Sequence, residues 1–189
     1  MHGRRLFWVV ACSLYVGSFG LAADQPPDLP TTKHQVTGLF SKERVPDLEK
    51  IVRQLSEIEL VRVDFATAEA EFRYDIAKVF PNATPEQIVE RLDQMLRNAS
   101  RHTFGIKPLC ATPREELERV EIPVLGLDCK ACCLAAYEAI YKLEGVEQAT
   151  ASFKEGLVVA WIHPGKTDVK MLETALKQRN VTLKESARP

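Results

Sequence analysis

The chain of 189 residues repeats itself. Gly38-Leu39-Phe40-Ser41-Lys42-Glu43-Arg44 lies over Gly126-Leu127-Asp128-Cys129-Lys130-Ala131-Cys132 at an offset of 88 residues. Leu55, Ile58 and Phe65 then fall on Leu143, Val146 and Phe153 without a gap. After a four-residue excess near Pro81 to Pro85, Ile88 and Leu92 match Leu172 and Leu176 at an offset of 84. Two copies of about 70 residues point to two small domains, because a solenoid needs at least three repeats.

Both copies read as the same string of elements. In the second, residues 120–125 form an apolar, β-prone run. Residues 131–143 carry Cys133, Ala136, Ile140 and Leu143 on one helical face, and Gly145 stops that helix. Residues 146–153 and 157–162 flank Lys154-Glu155-Gly156 as a hairpin. Thr167 or Asp168 can cap a helix running to about Gln178, and a last short strand takes in Val181 and Leu183. Strand, helix, strand, strand, helix, strand is the ferredoxin-like split βαβ: an α+β sandwich with an antiparallel sheet and both helices on one face. The first copy gives the same order, with helices over 46–57 and 85–100. Pro46 and Pro85 suit first-turn positions.

The N-terminus is a separate object. Arg4 and Arg5 precede an apolar stretch over 6–21, then Ala22 and Ala23, which is the pattern of a secretory signal over 1–23. At about 16 residues, broken by Gly17 and Gly20, the stretch is short for a membrane span. An uncleaved anchor and a lipoprotein box at Val9-Val10-Ala11-Cys12 are the alternatives. A Pro-rich leader over 24–33 follows, then the first domain over 34–109, a linker over 110–118 and the second domain over 119–187. Removal of 1–23 leaves 23 basic against 26 acidic residues, a formal charge of −3. No basic stripe invites nucleic acid or an acidic membrane surface. Cys110, Cys129, Cys132 and Cys133 remain. Export means an oxidising compartment, where a disulfide framework can form, but three cysteines within five residues mark a site instead.

At a strand-to-helix junction, Cys129 in the loop and Cys132 in the first helical turn can face one ion. Thiolates are soft donors that suit Cu(I), Hg(II), Cd(II) and Zn(II). Amide N–H groups at a helix start lower the pKa of a thiol there. Two ligands leave the ion undercoordinated, so an incoming ligand can attack it. A closed four-ligand site would hold zinc structurally.

Residues 119–187 resemble the heavy-metal-associated domain family. That family is shared by copper chaperones, periplasmic mercuric-ion carriers and the N-terminal modules of metal-exporting P-type ATPases. Gly126, Cys129 and Cys132 match its Gly-Met-x-Cys-x-x-Cys motif, with Leu127 in place of Met. Leu143, Gly145 and Val146 match its helix end, and the first copy matches more weakly. The resemblance implies one soft ion held by Cys129 and Cys132 and passed on by thiol exchange. Cu(I) is the first expectation, with Zn(II), Cd(II) and Hg(II) as alternatives. The implied partner is a metal-transporting ATPase or a metal-requiring apoprotein.

Each further candidate has a bland counterpart. A CxxC at a helix start also serves thiol–disulfide exchange, but Trp-Cys-Gly-Pro-Cys is absent and the order of elements is not that of thioredoxin. Cys133 aligns with Val45 on the buried stripe, so it reads as core packing before a third ligand. Asp128 either adds an oxygen ligand, tilting preference toward Zn(II), Cd(II) or Pb(II), or is a solvated loop acid. Some zinc- and cadmium-exporting members of the family carry Asp there. His163 reads as a surface residue at the opposite end from the thiols. His34 and His102 have no partner at ligand spacing, and Cys110 reads as free or paired between chains. In the first copy Ser41 and Arg44 replace the thiols, and a guanidinium repels a cation. That copy is expected to be structural or to dock a partner, with Arg44 facing a thiolate site. The expectation is an exported, periplasmic or secreted metal carrier and not an enzyme. Its rivals are a thiol–disulfide oxidoreductase and an interaction module with a vestigial site.

Overall fold

The computed structural model describes residues 29–184. The expected signal segment and the first half of the leader lie outside them. The first half of the fold runs β1 (Thr31–Thr37), α1 (Val45–Val52), β2 (Glu59–Asp64), β3 (Glu69–Arg73), α2 (Ile76–Val79), α3 (Pro85–Ala99) and β4 (Gly105–Lys107). The second runs β5 (Glu118–Leu125), α4 (Lys130–Tyr141), β6 (Val146–Ser152), β7 (Leu157–Ile162), α5 (Val169–Gln178) and β8 (Thr182–Leu183). The two sheets have matching strand orders, β2-β3-β1-β4 and β6-β7-β5-β8, and every pairing is antiparallel. The α+β reading of two ferredoxin-like sandwiches in tandem is what the chain folds into. Among the described residues no helix is long and apolar enough to cross a membrane.

Local chemistry explains where the elements depart from the sequence expectation. β1 opens at Thr31, inside the expected leader, because Thr31 already pairs with Arg73. Likewise β5 opens at Glu118, opposite Ile162, inside the expected linker. α1 ends at Val52, short of Glu57. There the bonds tighten to an i→i−3 pattern, Leu55 N to Val52 O at 2.8 Å and Ile58 N to Leu55 O at 3.1 Å, which brings Ile58 into the core. Just before the excess residues near Pro81 stands an unforeseen element, α2. Asp75 caps it by accepting from Ala77 N at 2.9 Å and Lys78 N at 3.3 Å. α3 begins in a full capping box between Thr84 and Gln87, with Pro85 at its first turn. Asp168 caps α5 by accepting from Met171 N at 2.8 Å.

Each half has its own core. Leu48, Val52, Phe72, Leu92 and Leu96 anchor the first, and Ile140, Val158, Ile162, Leu172 and Leu176 the second. The halves also dock on each other. β1 is buried without alternation from His34 to Thr37, where a strand with one wet face alternates. Its second face is covered by the other half: Gln35 Nε2 donates to the Glu147 carbonyl at 3.2 Å, and Gly38 N donates to Tyr137 Oη at 2.8 Å. Gln148 reaches back to the Ala66 carbonyl at 3.2 Å. Phe40 belongs to the core of the second half, its ring 6.0 Å from that of Tyr137 and its carbonyl accepting from Ala151 N at 2.8 Å. Glu43–Lys154 at 2.6 Å and Asp47–Lys130 at 3.6 Å lace the rim. Burial pushes the Tyr137 phenol far above its usual range, so it stays neutral as acceptor for Gly38.

Candidate metal centre

The thiol loop is built by three residues with different tasks. Gly126, just past β5, takes a φ of +76°, a left-handed conformation that other residues rarely adopt. The chain therefore turns sharply off the sheet. Leu127 then inserts into the core at 6 % exposure and anchors the loop. Cys129 is the N-cap of α4 with extended backbone (φ −145°, ψ 160°). Its sulfur accepts from Cys132 N at 3.1 Å, and its carbonyl accepts from Cys133 N at 3.0 Å.

This geometry brings Cys129 and Cys132 together. They form a disulfide, with Cα atoms 5.2 Å apart. Cys129 is exposed and Cys132 half-buried. Asp128 joins them: its Oδ1 lies 3.5 Å from Cys132 Sγ, and one ligand atom from each of the three lies within 4.8 Å of the others. A disulfide sulfur has no proton to donate, so the Asp128 contact becomes a hydrogen bond only after reduction to the thiol. Reduction also frees two sulfurs at a helix start, where exposed N–H groups favour the thiolate. A two-electron reductant would open the disulfide to two thiols at the start of α4.

The other candidates separate. Cys133 is a free thiol, 1 % exposed, packed with Ala136 and Ile140. Burial pushes its thiol up, away from the ionised form a ligand needs. It is a core residue, as its alignment with Val45 suggests. Arg44 is packed between the two halves. Its guanidinium pairs with Asp47 and lies 4.7 Å over the Phe104 ring and 5.3 Å from the Phe40 ring. Asp47 and two aromatic faces, Phe104 of the first core and Phe40 of the second, offset the desolvation of this cation where the halves meet. His34 is buried, its ring 6.1 Å from that of Phe72, and desolvation lowers its pKa. His163 is not a plain surface residue. It is half-buried, with Nε2 3.5 Å from Glu147 Oε2, and Cys110, a free thiol, lies beside both. Sequence spacing carries no sign of this second grouping, because its members come from three separate segments.

No family model matches the chain. Among curated proteins it is similar to the human (Homo sapiens) copper-transporting ATPase 2, with 22 % identity over 171 residues. That alignment takes in 78 % of the chain, which spans 11 % of the relative's length. Among solved structures it is similar to oxidised MerP from Ralstonia metallidurans, with 28 % identity over 36 % of this chain and 94 % of that one, at a TM-score of 0.34. It is also similar to the N-terminal soluble domains of Bacillus subtilis CopA, with 19 % identity over 82 % of this chain and 94 % of that one, again at a TM-score of 0.34. The CopZ metallochaperone aligns at 21 % identity over 35 % of this chain and all of its own, at 0.35.

Proposed function

We propose that the reduced protein binds one soft metal ion between Cys129 and Cys132 and sequesters it or hands it on by thiolate exchange. The observation that carries this reading is the convergence of both sulfurs at the exposed start of α4, with Asp128 alongside. Two sulfurs at the surface leave room for a third ligand from a partner, and transfer then needs no prior dissociation. Cu(I) is the first candidate ion, and Asp128 extends the range to Zn(II) and Cd(II). The names of the similar proteins, a copper-transporting ATPase and metallochaperones, support a metal-transporting ATPase or a metal-requiring apoprotein as recipient. The N-terminal signal pattern supports work in an exported, oxidising compartment, with the disulfide as resting form and reduction as the step that permits loading. The first half, without thiols, serves as the platform on which the second is docked. Competition of Cu(I), Zn(II), Cd(II) and Hg(II) for the reduced chain, read by native mass spectrometry, tests this. The expected result is one Cu(I) per chain, lost in Cys129→Ser.

The disulfide itself favours a second reading, thiol–disulfide exchange with a client. Insulin reduction separates the two: a carrier leaves insulin oxidised at catalytic concentrations, and an oxidoreductase turns it over.

A further inference from the structure

We propose that Cys110, Glu147 and His163 form a second metal site, independent of the thiol loop, for a divalent ion of the Zn(II) class. One sulfur, one carboxylate oxygen and one imidazole nitrogen lie within 4.8 Å of one another, and all three residues are half-buried. Zinc bonds of about 2.0–2.3 Å in a tetrahedron put ligand atoms about 3.3–3.8 Å apart. The Nε2–Oε2 separation of 3.5 Å already fits, and the Cys110 sulfur, within 4.8 Å of both, is the ligand that would move inward on binding. Glu147 stands where the β6–β7 register shifts between Val146 and Gln148, a bulge that re-aims its side chain out of the alternation. His163 follows β7 directly and is pinned by its N–H to the Gly145 carbonyl at 2.7 Å. Cys110 arrives from the segment joining the two halves, its Sγ 3.4 Å from the Thr112 carbonyl. The pairing of Glu118 with Ile162 sets this cluster at the start of β5, whereas the thiol loop follows its end.

The donor set selects the ion. A mixed sulfur, nitrogen and oxygen set suits a borderline divalent cation, whereas Cu(I) prefers sulfur alone. Three protein ligands leave a fourth position for water. A recess lined by Gln35, Thr67, Thr112, Arg114 and Gln148 adjoins Cys110 and Glu147 and gives access. Two features oppose the ion: burial and the neighbouring Glu147 push the Cys110 thiol up, so the ion must displace its proton, and Lys107 sits on the carboxylate. Its Nζ lies 2.7 Å from Glu147 Oε1, 3.0 Å from the Glu147 carbonyl and 5.5 Å from the Tyr141 ring. It occupies the carboxylate oxygen that His163 does not face, so Oε2 is free to ligate. Its charge still weakens the site, which makes Lys107 a tuning residue.

The test uses the full chain carrying Cys129→Ser and Cys132→Ser, held under reductant, so that the thiol loop contributes nothing whatever its own role. Zn(II) is titrated against a chromophoric chelator, with Co(II) as a spectroscopic probe. The expected result is one ion per chain and a thiolate-to-Co(II) charge-transfer band. Cys110→Ser or His163→Ala should lower the affinity at least about tenfold, Cys110→Ser should also abolish the band, Cys133→Ala should change neither, and Lys107→Gln should tighten binding. Circular dichroism establishes that each variant is folded. A chain that binds no ion overturns the proposal. So does binding indifferent to Cys110→Ser and His163→Ala, or weakened by Lys107→Gln; either leaves only an ion-pair network at this place.

Discussion

Phe40→Ala is the sharpest probe of how the two halves depend on each other. Phe40 belongs by sequence to the first copy, yet its ring is 3 % exposed within the core of the second. Truncating a buried Phe costs about 3–5 kcal/mol, part transfer and part cavity. The site is a seam where the loop can settle inward, so the lower end applies, about 3 kcal/mol. The Phe40 carbonyl keeps its bond from Ala151 N in the variant, so the loss reports the ring and the stacking face it offers Arg44. At about 2–4 °C per kcal/mol for a chain of this size, Tm should fall by about 6–12 °C. Thermal and urea unfolding followed by circular dichroism measure it. Phe153→Ala is the control: that ring is 48 % exposed and should cost within about 0.5 kcal/mol. A Phe40→Ala penalty below about 1 kcal/mol, or one no larger than the control, would refute the docking of the two halves through this loop.

Other outcomes follow from the same contacts. Tyr137→Phe keeps the ring but strands the buried Gly38 N–H, at a cost of about 1–3 kcal/mol in urea unfolding. Cys133→Ala removes a sulfur from the core, costs about 1 kcal/mol, and leaves metal stoichiometry unchanged. The hydrogen bond from Lys154 lowers the Glu43 carboxyl to about 2, so its contribution is present above its ordinary 4.5 and is lost as pH falls toward 2. The stabilities of wild type and Glu43→Gln, compared across that range, should converge at the acid end. Asp128→Asn should weaken Zn(II) binding by about tenfold, or about 1.4 kcal/mol, and Cu(I) binding less, in chelator competition.

Much of each half is legible in the sequence, because a 3.6-residue apolar stripe and its repeat are local signals. Leu48 and Val52 under Ala136 and Ile140, Pro85 in the first turn of α3 and the cap at Asp168 all express themselves within a few residues. The convergence of Cys129 and Cys132 was readable for the same reason. What escaped depends on contacts between distant segments. Aligning the copies shows how each folds and says nothing of how they dock, so Phe40 beside Tyr137, and Gln35 on Glu147, had no signal. The packing of Arg44 against the Phe104 ring had no signal, because that ring arrives from beyond the far end of α3. The grouping of Cys110, Glu147 and His163 needed a bulge, a strand end and a connecting segment to meet.

The central claim is that Cys129 and Cys132, once reduced, share one thiophilic ion at the start of α4. The most direct measurement is native mass spectrometry of reduced and disulfide-bonded chain, each offered Cu(I) beside a competing chelator, with Cys129→Ser in parallel. The account predicts one Cu(I) on the reduced chain, none on the oxidised chain and none on the variant. A reduced chain that stays empty, or a Cys129→Ser chain that loads as well as wild type, would contradict it.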